Sequence, residues 1–497
     1  MAPVTQARKR EALCQLQEEL RRNPRRPQLV VVPSFGGIPA ALLRQVKGID
    51  HYVERTLSHS LWHLRDPGVE LVFITPRPVD STVLESQLER LPADARDRLH
   101  IVVTRQDGSS RPLTNRLLRD DQAIERVRRL VDPARALLVP FLVSEDEQRL
   151  ACELGIPIEG PIDLGLNTKT GSHRVFREAR VPHQRACIGL RSVQELQRAV
   201  REWFEESSSD AVAIKLDAGV SGLGIIRLRR GQISARLARR GPLPRTLRAR
   251  RQLLSRVIRR LVIEVGGRSW PAVRRDLSRG FIVEEWFHGE VECSPSVQGF
   301  ISPTGDVAVV ATHDQMLDGE VFQGASFPAF PDDPGLRRRL MDYGERVGAV
   351  LARRGALGSF AVDFICGYRA SGDRVLRAVE INLRQGGTTH PYRNALALKE
   401  ARFDRASGLL VDGNGDPLYY VATDNGHSEA MKGYSSREVL ELLSAFDLNT
   451  HLVVPEHGKI GFQVFGRTAE AAREAFDQVT SYLATLPERS EGLEARW

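Results

Sequence analysis

The stretch "AVEINLRQGGTTHP" (378–391) gathers Glu380, Asn382, Arg384, Gly386, Gly387, Thr388, Thr389 and His390 directly after a strand-like run. Side chains alternate along a strand, so Glu380 and Asn382 face away from Val379 and Ile381. Upstream, "GSFAVDFICGYRASGDR" (358–374) puts Phe360, Val362 and Phe364 on one face and Asp363 on the other. Its 367–374 piece has the composition of a turn. Folded as a hairpin, the two runs present Asp363, Glu380 and Asn382 together. Two carboxylates and an amide oxygen are hard ligands suited to magnesium, which usually binds nucleotide phosphates as well. Without a cation the carboxylates repel each other, and one needs a raised pKa. A solvated hairpin face with two unrelated acids is the plainer alternative. Asn382, Arg384 and the glycines that follow weigh against it.

A magnesium-nucleotide site needs phosphate and base contacts elsewhere. "AIKLDAGVSGLGII" (213–226) ends an apolar strand on Lys215 and continues through Gly219, Gly222 and Gly224. Glycines there let backbone N–H groups approach phosphates. A strand follows the turn, so this is a glycine-rich hairpin and not the loop-to-helix phosphate motif. "FIVEEWFHGE" (281–290) runs from a strand into a linker with Glu284, Glu285 and Trp286. Such an edge offers backbone groups to adenine and a carboxylate to a ribose hydroxyl; core packing of Trp286 is the bland reading.

These pieces need elements to hold them. Residues 28–35, 69–76, 99–103 and 135–142 read as buried strands. Helical patterns at 51–64, 81–90, 115–131 and 145–154 alternate with them, which implies an open, largely parallel α/β sheet. "PSFGGIP" after the first strand lacks a dinucleotide fingerprint and reads as a structural or substrate-facing turn. From about 161 the pattern changes to mixed α+β. The stretch 227–260 carries 13 arginines and no acid. Within it Leu247, Leu253, Leu254, Val257, Ile258, Leu261 and Val262 fall on one helical face. A solvated arginine face explains the rest; capture of phosphate or an acidic peptide is the functional alternative. Aromatics are not interleaved with the arginines, so base stacking on nucleic acid has little support. A further α+β region follows at 396–497.

The chain has 497 residues with 41% hydrophobic and 27% charged, the profile of a globular protein of two or three domains. It contains no 18-residue apolar run. The N-terminus reads as a polar helix without an apolar signal core. Five scattered cysteines form no CxxC pair, which speaks against a zinc site or disulfide framework and for a reducing cytoplasm. Only seven of the 71 basic residues are lysine. Arginine's planar fork does not replace a compact ammonium, so Lys169 and Lys215 stand out.

Taken in order, Lys169, Lys215 with its glycine hairpin, Glu-Glu-Trp (284–286), Gly-x-x-Glu (289–292), Asp363 and Glu-x-Asn-x-Arg (380–384) resemble an ATP-grasp ligase over about 161–395. Residues 1–160 resemble the pre-ATP-grasp α/β domain that precedes it. "THDQMLDGEVFQGASFPAF" (312–330), "EINLRQGGTTHP" and the α+β tail are most similar to the pheganomycin-type peptide ligases, with 396–497 as their small C-terminal domain. The resemblance implies two α+β subdomains clasping ATP. It implies Lys169 and Lys215 on the phosphates, Glu284, Glu285 and Trp286 around adenine, and Glu290 or Glu292 on the ribose. It gives Asp363, Glu380 and Asn382 two magnesium ions and Arg384 the transferring phosphoryl group. Some members carry an arginine where this chain has Ala361, which leaves Arg384 to serve alone. Gly386, Gly387, Thr388, Thr389 and His390 would then meet the substrate.

The expected reaction joins a carboxylate to an amine through an acyl phosphate, releasing ADP and phosphate. Amino-acid-like acids, amines or peptides are the expected partners, a homodimer the family's frequent state, and peptide natural-product biosynthesis the setting. Two rivals share the residues. A phosphotransferase would make a stable phosphorylated product with no amine. A non-catalytic ATP-binding module would use the basic helix to engage a partner.

Overall fold

The computed structural model describes residues 6–38, 51–106, 111–217, 225–242, 244–266, 269–319, 321–369 and 371–487. They group into two compact units. Unit 1 comprises 1–163, 295–361 and 382–497; unit 2 comprises 164–294 and 362–381.

Unit 1 opens with four parallel strands: β1 (Gln28–Val32), β2 (Glu70–Thr75), β3 (Leu99–Val103) and β4 (Ala136–Pro140), in the order β3-β2-β1-β4. All four stand where the apolar runs place them. Their continuous apolar character is what a sheet covered on both faces requires. Val30, Val72 and Leu138 are fully buried. The 115–131 expectation divides into helices Leu113–Leu117 and Asp121–Leu130. Asp120 is the reason: its carboxylate accepts from Ala123 N and starts a fresh helix. Helix Glu145–Leu154 begins in a Ser144–Glu147 capping box.

In unit 2, β5 (Ala186–Leu190), β6 (Ala211–Leu216), β7 (Ile225–Arg229) and β8 (Phe281–Glu285) form an antiparallel sheet in the order β5-β8-β6-β7. Helices Val193–Glu206, Arg230–Ala238, Leu247–Gly266 and Trp270–Leu277 contribute to the core with this sheet. On Leu247–Gly266 the expected apolar face is buried at Leu254, Val257, Ile258, Leu261 and Val262. Leu247 departs from it, at 60% exposed, because it is the first residue of the helix and overhangs the core. Strand β9 (Glu290–Cys293) follows.

Arg230 ties this unit's chain turns together. Its guanidinium donates to the carbonyls of Phe204 at 2.7 Å, Ser209 at 3.2 Å and Ser207, and lies 5.0 Å over the Trp203 ring. It thereby satisfies carbonyls at the C-terminus of Val193–Glu206, where a cation also meets the negative end of the helix dipole. Arg230→Met is expected to destabilise the protein by about 2 kcal/mol, since hydrogen bonds to a charged group carry ~1.5–3 kcal/mol. Urea unfolding followed by Trp fluorescence reads this out; an unchanged midpoint refutes the capping role.

A second sheet in unit 1 contains β10 (Pro295–Ile301), β11 (Val307–Asp318) and β12 (Val321–Phe327). Strands β13 (Gly358–Tyr368) and β14 (Arg374–Asn382) begin or end in unit 1 and lie for most of their length in unit 2. The C-terminal segment adds β15 (Arg402–Asp404), β16 (Leu409–Val411), β17 (Pro417–His427), β18 (Leu448–Val454) and β19 (Lys459–Gly466). Within unit 1 the order is β10-β11-β12-β17-β16-β15, with β19 beside β17 and β18 beside β19. Helices Pro334–Arg353 and Ala469–Ala484 pack on this sheet. No helix among the described residues is long and apolar enough to cross a membrane.

Candidate active site

In unit 2, Lys169 is the first residue of helix Lys169–Ala179. Thr168 caps it, its Oγ1 accepting from Gly171 N at 2.9 Å. Position 171 must be glycine, because a Cβ there would stand 2.2 Å from the carbonyl oxygen of Gly165. One turn along, Ser172 Oγ accepts from the backbone N of Ile381 at 3.0 Å. That bond fixes the helix against β14 beside Glu380. The buried Lys169 ammonium contacts the Glu380 carboxylate. Asp363 lies on the neighbouring strand β13, partly buried like Glu380.

The second lysine is placed by sheet register. Lys215 on β6 pairs with Ile282 on β8, and Ala213 pairs with Glu284. Lys215 and Glu284 are therefore diagonal neighbours on one face, within reach of a long side chain. Their charged ends meet. Glu284 also accepts from His173 Nε2 at 2.8 Å, and His173 is fully buried. Burial pushes the Glu284 carboxyl up, but Lys215 and His173 outweigh it and hold its pKa down to about 2. Both carboxylate oxygens of Glu284 thus have partners within the protein, and what it can present to a ligand is backbone. His173 carried no signal of its own in the sequence; one turn beyond Lys169 on the same helix, it stands out only once the helix is placed. Asp217, just after β6, accepts from Thr170 N at 2.9 Å, which holds the end of that strand to the helix. Gly219, Gly222 and Gly224 lie outside the described residues.

After β8 the chain turns at Trp286, whose N–H donates to Ala211 O at 2.9 Å. The Arg227 guanidinium lies 4.7 Å over the Trp286 ring. Ala211, Arg227, Trp286 and Phe287 line one open depression. Glu285 faces Arg185 at 3.7 Å. The two ribose candidates separate clearly. Glu292 is held by Arg374 through two bonds of 2.8 Å. Glu290 is exposed and makes no ion pair among the described residues.

In unit 1, Arg384 donates to Asn382 Oδ1 at 2.8 Å and to Gln385 O at 3.0 Å. Its guanidinium lies 5.5 Å from the Phe141 ring centre. The residues beyond it are largely committed inside the protein. Gly386 N donates to Thr389 Oγ1 at 2.9 Å, and Thr388 bonds Gln298. Phe322 packs against Gly387, where a Cβ would come within 2.6 Å of the ring. His390 is buried beside Asp424 and His451, and burial pushes its pKa down to about 4.

A family model described as a pre-ATP-grasp domain matches residues 58–156. The L-propargylglycine–L-glutamate ligase of Streptantibioticus cattleyicolor is 33% identical over 422 residues, 81% of this chain and 81% of that one. The chain belongs to the ATP-grasp ligases. Solved structures share the fold. An N5-carboxyaminoimidazole ribonucleotide synthetase solved with ADP aligns with a TM-score of 0.54 at 13% identity, over 92% of this chain and 97% of that one. The biotin carboxylase domain of Hydrogenobacter thermophilus 2-oxoglutarate carboxylase, solved with MgADP and bicarbonate, gives 0.54 at 15%, over 91% and 89%. The ligase is an ATP-dependent enzyme that joins a carboxylate to an amine, of the pheganomycin type.

The residues of this ligase fit a magnesium nucleotide. Glu380 lies where it already stabilises a cation, the Lys169 ammonium. Asp363 supplies a second hard oxygen donor from the adjacent strand. Two buried ammoniums, Lys169 and Lys215, come from different elements of the same unit.

Proposed function

We propose that this ligase activates an amino-acid-like carboxylate and joins it to the amine of an amino acid or peptide. The observation that carries the reading is the pair of buried ammonium–carboxylate contacts, Lys169–Glu380 and Lys215–Glu284. They bring a metal-type carboxylate and two phosphate-type cations into one unit. The relative's name, a ligase of two amino acids, supports the substrate class. Five free thiols support a reducing, cytoplasmic setting, and specialised peptide biosynthesis is the context that fits the relative.

In this reading 1–160, 161–395 and 396–497 are the pre-ATP-grasp, ATP-grasp and C-terminal domains. Asp363, Glu380 and Asn382 hold two magnesium ions, which neutralise phosphate charge. Lys169 and Lys215 bind phosphate oxygens. For Lys169 this means exchanging Glu380 for the nucleotide, so its affinity depends on the metal being present. The turn at Glu284–Trp286 offers backbone groups to adenine. The substrate carboxylate attacks the γ-phosphorus, ADP leaves, and an acyl phosphate remains. Arg384 stabilises charge on the transferring group, where positioning and neutralisation dominate catalysis. The amine then attacks the acyl carbon; phosphate leaves, the amine loses a proton, and an amide results. Gly386–His390 shape the substrate side through backbone and fold.

Nucleotide product analysis tests the reading. Magnesium-ATP is supplied with and without pooled amino acids and short peptides. ADP, phosphate and a new amide mass only with the pool support it. AMP and pyrophosphate, or a stable phosphorylated product without amine, overturn it.

The ribose assignment gives a separate prediction. Glu290, exposed and unpaired, is the ribose ligand, whereas Glu292 holds Arg374. Glu290→Ala is expected to raise KM for ATP about 10-fold or more, the cost of a charge-assisted hydrogen bond. Glu292→Ala should cost ~1 kcal/mol or less of stability, as a half-exposed pair does, and leave KM nearly unchanged. The reverse pattern in steady-state kinetics would exchange the two roles.

A further inference from the structure

Outside the nucleotide site, three buried side chains of unit 1 converge. His390 stands on helix Thr389–Leu398, Asp424 on β17 and His451 on β18. They are 2%, 3% and 0% exposed. His390 Nε2 and His451 Nε2 are 3.0 Å apart. Asp424 Oδ1 is 2.9 Å from the first and 2.8 Å from the second.

Hydrogen bonds alone do not satisfy this triangle. Each ring nitrogen offers one in-plane site, either an N–H or a lone pair, and a carboxylate only accepts. If both Nε2 atoms carry protons toward Oδ1, two N–H groups crowd each other across 3.0 Å. If one carries a proton, the other's lone pair faces a carboxylate oxygen inside 3 Å. A divalent cation between the three atoms turns every contact into a ligand bond. Zinc bonds of ~2.0–2.1 Å in a tetrahedron place ligand atoms about 3.3 Å apart, within a few tenths of an ångström of the spacing here.

The backbone is shaped for the same arrangement. The pairing of β17 with β19 shifts register between Thr423 and Gly426, at Asp424. That of β18 with β19 shifts between Thr450 and Leu452, at His451. Irregularities of this kind re-aim side chains. On β19 between them, Gly461 keeps room beside the donor atom: a Cβ there would stand 2.6 Å from His451 Nε2. The second carboxylate oxygen of Asp424 accepts from Arg55 at 2.6 Å, which orients Oδ1 inward as outer partners of metal ligands do.

We propose that His390, Asp424 and His451 form a buried site for a divalent transition ion, zinc by class, with water as the fourth ligand of the tetrahedron. Imidazole nitrogen with one carboxylate oxygen selects such an ion over magnesium. The site is separate in ligands and in metal from Asp363, Glu380 and Asn382.

The full chain is stripped with a chelator and titrated with Co²⁺, then with Zn²⁺, followed by visible absorption and elemental analysis. One equivalent of Co²⁺ with the strong visible bands of a four-coordinate site, displaced by one equivalent of Zn²⁺, is expected. His451→Gln and Asp424→Asn should each weaken binding at least about 100-fold, more than the 10–100-fold typical of outer partners. Glu380→Gln should bind Co²⁺ like the unaltered protein. Circular dichroism checks that the variants fold; if neither does, the cobalt spectrum of the unaltered chain decides. No Co²⁺ bands, or binding equally strong in folded His451→Gln and Asp424→Asn proteins, overturns the site.

Discussion

Glu380→Gln is expected to reduce ADP formation by at least about 10³-fold while the protein stays folded, a loss of ~4 kcal/mol in transition-state stabilisation. The substitution keeps shape and removes one negative charge. In phosphoryl transfer the protein contributes mainly positioning and charge neutralisation, so a missing metal carboxylate acts on the rate itself. Glu380 is a quarter exposed, and glutamine keeps an amide oxygen toward the buried Lys169 ammonium, so the substitution is expected to cost stability, on the order of 1–3 kcal/mol, without unfolding the protein. Phosphate release under saturating substrates, with thermal unfolding as the control, measures both. Full turnover in a folded Glu380→Gln protein would remove Glu380 from the metal site and the magnesium assignment with it.

The largest stability effect is expected at Lys215. Removing one member of a buried ion pair typically costs about 3–5 kcal/mol, because the other charge is left uncompensated. Here Glu284 would remain with His173 alone in a fully buried position. Lys215→Ala should therefore unfold well before the unaltered protein in urea. Loss of ATP binding in that variant would mix structural and ligand effects. Lys215→Met combined with Glu284→Leu separates them: removing both charges should restore much of the stability and leave ATP binding absent. A double variant that still binds ATP tightly would show Lys215 to be purely structural.

The same pair sets an acid limit. The folded Glu284 pKa lies near 2, below its ordinary value of 4.5. A carboxyl depressed in the folded state stabilises above its unfolded pKa. That contribution is fully present above about pH 4.5 and is lost as pH falls toward 2, amounting to ~3 kcal/mol over the window. Replacing Glu284 by Gln should flatten this part of the stability profile.

Much of this was legible along the chain because the signals are local. Alternation on β13 separates Asp363 from the buried Phe360, Val362 and Phe364, and the four parallel strands announce themselves as apolar runs. On β14 the alternation breaks, since Glu380 shares its strand parity with the buried Leu376 and Ala378. The arginine-rich helix showed most of its buried face through spacing alone; Leu253 is only half-buried, and at Leu247 overhang beyond the core overrides periodicity. Glu290 and Glu292 were indistinguishable in sequence, since both lie one strand period apart on β9. Arg374, 82 residues from Glu292, is what separates them.

The sequence by itself determined the family, the reaction class and the ordered set of lysines, carboxylates and glycines, because those depend on residue type and on spacing within one element. Only the tertiary structure decided which charges meet: Lys169 with Glu380, and Lys215 and His173 with Glu284. It alone joined the C-terminal strands to β12 and drew His390, Asp424 and His451 together. Scattered cysteines speak against a cysteine-ligated zinc site, and the donors of the site proposed above are instead histidine and aspartate from three separate segments. The physical reason is common to all of these. Long-range register and packing bring together groups far apart in the chain, and no local pattern records a partner that distant.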